Sequence, residues 1–420
     1  MSKWPVSSLY GKLHVKHGYP FKGEYFSDSG DYIVLTPGNF YEEGGFKRQA
    51  GKEKFYLGEI PKDYLHSKGD LIVAMTEQSA GLLGSCAFVP DSGIYLHNQR
   101  LGLITTDPKQ LDRSFVYYLF QTKAVREQIR LTSTGSKVKH TSPERIYAVV
   151  AALPKVEVQQ KIAAVLSALD AKIACNNRIN AELEAMAKTL YDYWFVQFDF
   201  PFDFAQGRPD ANGKPYKSSD GKMVYNPTLK RKIPAGWEDK QLSHIANITM
   251  GHSPLGESLN ASKKGVEFFQ GSTDFGWQFP TVRQYTIQVT RMAKRGDILL
   301  SVRAPVGDMN IANIDCCIGR GLAALNSKDG FDGFLFYVMQ YFKKIFDRRN
   351  SEGTTFGSIT KDDLHSLPLA YPPTELLAEY DKVVSNYNQM VFTRSMENQH
   401  LTQLRNWLLP MLMNGQVTVV

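Results

Sequence analysis

Cysteine is scarce: the 420 residues hold four, Cys86, Cys175, Cys316 and Cys317. They form no C-x-x-C pair, and no histidine stands at ligand spacing from them, so neither a disulfide framework nor a zinc site is expected. Long apolar runs are missing too. The best, "YAVVAAL" at Tyr147, is far short of a membrane span, and "MSKWPVSS" lacks the charged-then-apolar layout of a signal peptide. These absences predict a reducing, cytoplasmic protein with no membrane partner. Strong charge of one sign is also lacking. The net charge is +7 with a pI near 8.9, spread as 19 basic against 15 acidic side chains in residues 1–153 and 15 against 14 in residues 235–367. Such mixed fields exclude a charge-coating protein. A nucleic-acid ligand would have to be held by a few placed contacts.

Catalytic motifs are equally sparse. "GGFKRQAGKE" at Gly44 has the wrong spacing for a phosphate-binding loop and lacks its hydroxyl residue. No G-x-G-x-x-G follows a strand, and neither H-E-x-x-H nor G-x-S-x-G occurs. "AYPPTE" at Ala370 puts tyrosine before the prolines, unlike an adenine-methyltransferase loop, and reads instead as a helix start at Pro372 and Pro373. Pro209-Asp210 followed by Glu238-Asp239-Lys240 imitates a metal nuclease. The first pair lies in a Gly/Pro-rich stretch, however, where carboxylates on adjoining strands are not expected. The residues point to no catalytic set and no metal site.

What is present is length without interruption. From Gln159 to Trp194 there is no proline and no glycine. Ile162, Leu166, Leu169, Ile173, Asn176, Asn180, Leu183, Ala187, Leu190 and Trp194 recur at alternating steps of four and three, the period of a coiled-coil seam. The chain is also written twice. Trp4, Leu9 and Gly18 return as Trp237, Leu242 and Gly251; "KGDLIVAM" at Lys68 returns as "RGDILLSV" at Arg295; "FVYYLF" at Phe115 returns as "FLFYVM" at Phe334. The seam returns as Tyr380, Val384, Tyr387, Val391, Arg394, Asn398, Leu401, Arg405 and Leu408.

The expected fold is therefore α+β: two pseudo-repeated mixed α/β domains separated by two long helices that form an antiparallel coiled coil. The boundaries read as a first domain at 1–152, a central helix at 153–198, a linker at 199–234, a second domain at 235–369 and a C-terminal helix at 370–420. One amphipathic helix is expected near "RSFVYYLFQTKAVREQI". In the seam, Asn176 and Asn180 should meet Arg394 and Asn398, polar groups that fix register at some cost in stability. A helix packed only on its own domain is the alternative, which the strict heptad on both copies disfavours.

The tandem plan, the central "LPKVEVQQKIAAVLSALDAKIACNNRINAELEAMAKTLYDYWFVQFDFP", the C-terminal "NQHLTQLRNWLLPMLMNGQV", "RGDILLSVRAPVGD" and "IPAGWE" together resemble the DNA-specificity subunit of type I restriction–modification systems, over essentially the whole chain. That resemblance implies a non-catalytic subunit whose two domains each read half of a bipartite double-stranded DNA target, with the helices setting the spacing. It also implies two modification subunits as partners, which bind S-adenosylmethionine and methylate adenine. Restriction subunits that consume ATP with Mg would join them, and this chain would carry no cofactor itself. Because the domains differ, the half-sites should differ. Candidate DNA contacts are Arg100, Lys137, Lys139 and His140 in the first domain and Arg303, Arg320, Thr354, Thr355 and Ser358 in the second, with Arg100 ("NQRLG") and Arg320 ("IGRGL") read as equivalent. A coiled-coil adaptor with protein-binding end domains is the alternative function, and a stand-alone nuclease the third.

Overall fold

The computed structural model describes residues 3–77, 81–351 and 358–419. The chain forms two compact units, residues 1–174 with 398–420 and residues 175–397.

In the first unit an antiparallel sheet runs in the order Leu13–His17, Leu101–Thr106, Leu71–Ala74, Cys86–Phe88. A second sheet carries Ile33–Leu35 parallel to Tyr95–His97. Strand Leu71–Ala74 is buried on both faces. Leu71 and Val73 enter a core with Phe115, Val116 and Ile129, while Ile72 and Ala74 enter another with Leu35, Phe40 and Tyr95. A strand with no solvent face needs no polar alternation, which is why "DLIVAM" reads as one apolar run. The second unit repeats the device: Ile298 and Leu300 face one core, Leu299 another. Its sheet order is Ala246–Met250, Leu322–Ser327, Ile298–Ser301, Met309–Ile311, beside a sheet in which Val266–Phe269 runs parallel to Cys316–Ile318. Each domain also begins and ends on one ladder, Val6–Ser8 with Val150–Ala152 and Glu238–Gln241 with Pro368–Tyr371.

The single amphipathic helix expected after Arg113 is two helices, Arg113–Leu119 and Lys123–Leu131. Thr122 stands extended between them and accepts the Val125 N–H, so the second helix has its own N-cap. The counterpart in the second unit is one helix, Asp332–Ser351, with no serine or threonine at its centre.

The central helix spans Val156–Tyr191 and ends in a π-helical turn at Asp192–Val196. The C-terminal helix spans Thr374–Met413. At 1.5 Å per residue they are about 54 and 60 Å long. Each unit holds one portion of each helix, and within each unit the two portions run antiparallel. In the first, Ile162, Ala163 and Leu166 bury with Leu412 and Met413, and Leu408 packs against them. Leu169, Ile173 and Leu401 are half-buried. Each buried leucine or isoleucine contributes about 1.5–3 kcal/mol. In the second, Ala187, Leu190 and Trp194 pack with Tyr380 and Val384, and Leu183 packs with Val391 and Tyr387.

The polar positions of the seam are hydrogen-bonded within each unit. Asn176 Nδ2 donates to Glu397 Oε2 at 2.8 Å and Asn180 Nδ2 to Ser395 Oγ at 3.2 Å in the second unit. Arg394 donates to its own helix at Met390 O, while Asn398 reaches Ile173 O in the first unit. A carboxamide donor seeks an acceptor, and Glu397 and Ser395 supply one beside the seam where Arg394 would not.

Residues 199–234, expected as a linker, are folded. Strands Pro201–Asp203, Arg208–Pro209 and Lys214–Pro215 form one small sheet, and Met223–Asn226 pairs with Arg231–Pro234. Phe200 stacks on Tyr216 at 4.8 Å and on Trp237 at 5.5 Å, joining Phe198 and Ile233 in the core of the second unit. Aromatic burial outweighs the Pro/Gly composition there. Asp210 accepts from the Asn212 N–H, and Asp239, in strand Glu238–Gln241, accepts from Asn226 Nδ2. Among the described residues no three His, Cys, Asp or Glu side chains cluster as a metal site would, and no helix is long and apolar enough to cross a membrane.

Candidate nucleic-acid interface

In the first domain the buried strand Leu71–Ala74 continues into Met75 and Thr76, which run between two turns. Met75 N–H donates to Arg100 O at 2.9 Å, and Met75 O accepts from Thr141 N–H at 2.9 Å. Thr76 and Glu77 then pair with His140 and Lys139. The turn at Asn98 is closed by Leu101 N–H on Asn98 O, and Gly18 lies against it, donating to Leu101 O. A Cβ on Gly18 would stand 1.9 Å from Asn98 O, so only glycine permits this approach. The candidates of this domain are thereby gathered around one strand end. Arg100, Lys137 and His140 are exposed and Lys139 is half-buried. His140 Nδ1 lies 3.0 Å from Thr76 Oγ1, and Arg145 Nη1 braces the hairpin at Thr134 Oγ1.

Beneath the turn two histidines are buried. His66 Nε2 meets His97 Nδ1 at 2.9 Å, and His66 Nδ1 meets Asp70 Oδ2 at 3.0 Å. Burial, with His66 opposing a second charge, pushes His97 down to about 3. His66 is also lowered by burial, against its hydrogen bond to the Asp70 carboxylate. Both rings are neutral at ordinary pH, so the pair acts as a hydrogen-bonded prop under Asn98 and not as a charge offered to a ligand.

The second domain builds the same frame. Val302 N–H donates to Gly321 O, Val302 O accepts from Ile359 N–H, Leu322 N–H closes on Gly319 O, and Gly251 N–H donates to Leu322 O. Gly251 is again pressed on a carbonyl, its Cβ position 2.2 Å from Gly319 O. Arg303 bridges Ser358 as Thr76 pairs His140. Arg303, Arg320 and Ser358 are exposed, and Thr354 and Thr355 lie outside the described residues.

These bonds correct one equivalence. Leu101 matches Leu322, so Arg100 corresponds to Gly321 and Arg320 to Gln99. The register belongs to the strand that follows the turn, and the first domain's arginine lies one residue closer to it. Four further exposed or half-exposed residues sit on the frame and escaped sequence reading: Tyr19, His252, Ser253 and Gln270. Carrying the repeat from Gly18 and Gly251 one and two residues onward reaches the first three. Gln270 had no such signal, because the loops before it differ in length.

The chain matches the family model described as type I restriction modification DNA specificity domain over residues 1–185 and 234–385. It is 29% identical over 414 residues to a protein assigned as the MjaX type I restriction enzyme specificity subunit of Methanocaldococcus jannaschii, covering 96% of this chain and 88% of that one. It is 24% identical over 322 residues to the type I restriction enzyme HindI specificity subunit of Haemophilus influenzae, covering 63% and 68%. The crystal structure of the type I restriction–modification S subunit from M. genitalium shares the fold, with a TM-score of 0.62 at 16% identity over 98% of this chain and 96% of that one. Since the family match takes in both domains and more than half of its length, the chain belongs to the type I restriction–modification DNA specificity subunits.

Proposed function

We propose that this DNA-binding specificity subunit reads a bipartite, asymmetric target, one half with each domain, and brings two modification subunits and the restriction subunits to it. The observation that carries this reading is the duplicated frame. The same backbone hydrogen bonds occur at Met75 and Val302, at Leu101 and Leu322, and at Gly18 and Gly251. The residues at matched positions of that frame differ, with buried Thr76 and exposed Gln99 and Arg100 in one domain and exposed Arg303 and Arg320 beside Gly321 in the other. A common scaffold with unlike side chains is what two readers of unlike half-sites require. The long seams support the further reading that the helices set the distance between half-sites. S-adenosylmethionine belongs to the modification subunits in this scheme, and ATP and Mg to the restriction subunits.

The test is to express the chain with its modification subunit in cells free of other adenine methyltransferases and to sequence the methylated sites. A single motif of two unlike halves around an unspecified spacer is expected. Methylation without a motif, or a palindromic motif, would overturn the reading. So would sequence-specific methylation by the purified chain alone.

A further inference from the structure

The second unit has a cleft of about 570 Å³ where its domain meets its portion of the central helix. Glu184, Phe336, Asp308 and Asp347 line it, with the loop that carries Trp277 and Gln278. That loop is pinned to the strand Met309–Ile311. Gly276 N–H donates to Asn310 Oδ1 at 3.0 Å, Gly276 O accepts from Asn310 Nδ2 at 3.1 Å, and Gln278 O accepts the Ile311 N–H at 2.8 Å. Trp277 is thereby held 54% exposed, while its neighbour Gln278 is 5% exposed. The Gln278 Oε1 is buried and has no hydrogen-bond partner among the described residues. A buried acceptor left unpaired is costly, so this one calls for a donor.

The first unit indicates which donor. Gly84 lies under Arg126 and Ile129, and Gly307 under Lys343 and Phe346, so Arg126 and Lys343 stand at matching places. Arg126 Nη2 donates to two loop carbonyls, Glu42 O at 2.7 Å and Gly81 O. Lys343 has one ammonium where Arg126 has a planar fork, and it pairs with Asp308 at 2.9 Å and Asp347 at 3.5 Å instead. Among the described residues no arginine lines the cleft of the second unit. Its walls nevertheless offer what a guanidinium uses: the indole of Trp277, the Gln278 acceptor, and three carboxylates, Glu184, Asp308 and Asp347, against Lys343 and Lys344. Burial raises the Glu184 carboxyl above its ordinary range, an effect that a cation beside it would oppose.

We infer that this cleft receives an arginine side chain of a partner protein, its guanidinium lying on Trp277 and donating to Gln278 Oε1 and the Glu184 carboxylate. The inference goes beyond the DNA reading proposed above and does not depend on it. The test is fluorine NMR of the full chain labelled with fluorotryptophan. The chain has five tryptophans, and the Trp277 signal is assigned by its loss in Trp277→Phe. The probes are N-acetyl-arginine methylamide, its lysine and citrulline counterparts, free arginine and adenosine. The Trp277 signal should move saturably with the arginine amide at millimolar concentration, and about 10-fold less tightly with the lysine and citrulline amides. Gln278→Leu and Glu184→Gln should each weaken binding of the arginine amide by about 10-fold, with the other four signals unmoved as the check on folding. No movement with the arginine amide, equal binding of the lysine amide, or full binding by Gln278→Leu would overturn the inference. Movement with adenosine or with free arginine but not with the amide would overturn it too, assigning the cleft to a small molecule.

Discussion

Asp170 joins three elements of the first unit, and its removal has a calculable cost. Oδ1 accepts from Arg405 Nη1 and Oδ2 from the Tyr118 hydroxyl, both at 2.7 Å. The side chains of Arg405 and Asp170 are 20% and 27% exposed, and Tyr118 is buried. Burial, together with the Asp170 charge, drives the Tyr118 phenol well above its ordinary range, so it donates as a neutral hydroxyl. Asp170→Ala strands a buried donor, at about 1.5–3 kcal/mol for a bond to a charged acceptor. It also strands a largely buried guanidinium whose attraction is about 4 kcal/mol at an effective dielectric of 20 before desolvation is counted. The net loss should be about 3–4 kcal/mol, in the range for breaking a buried pair. Asp170→Asn keeps an acceptor for Tyr118 and should cost about half as much. Asp170→Asn combined with Arg405→Met should recover about 1–2 kcal/mol relative to the sum of the single changes. Because the chain has two units and is not a two-state system, the readout should be hydrogen exchange of amides in residues 113–119 and 156–174. Single variants within 0.5 kcal/mol of wild type, or strictly additive ones, would refute the linkage.

Other perturbations test other levels. His97 has a reference value of 6.5 and is pushed down to about 3 in the folded state, so the unfolded chain takes up a proton first as pH falls. The first unit should therefore be fully stable above about pH 6.5 and lose up to about 1.4 kcal/mol per pH unit between there and pH 3. Thermal melts of wild type and His97→Gln from pH 7.5 to 5 should diverge, with the variant flatter; parallel curves would refute it. If the seams set the spacing, four residues inserted after Cys175 add about 6 Å, or about two base pairs, and the heptad re-forms with a stutter. The methylation motif of that variant should keep both halves around a longer spacer, and an unchanged spacer in an active variant would count against the ruler. Inserting two or five residues turns the apolar stripe off its partner and should abolish methylation.

Much of this was legible because periodicity and repetition survive in a sequence. Ile162, Leu166, Leu183 and Tyr380 announced their buried faces by spacing alone. What was not legible depended on events that spacing does not record. Thr122 caps a new helix inside an amphipathic pattern that runs on through it. Phe198, Phe200 and Tyr216 order a segment whose prolines and glycines read as linker. Glu397 and Ser395 reach the buried asparagines from beside the seam, where a heptad count places solvent. His66 and His97 meet across 31 residues, and the frame around Arg320 rests on backbone bonds between loops of unequal length.

The central claim is that two domains on one repeated frame read two halves independently. Exchanging residues 1–150 for the corresponding domain of a relative with a different target, and sequencing adenine methylation in cells that carry the modification subunit, addresses it most directly. One half of the motif should change to the relative's while the other half stays as it was. A hybrid in which both halves change, or in which neither does, would contradict the account.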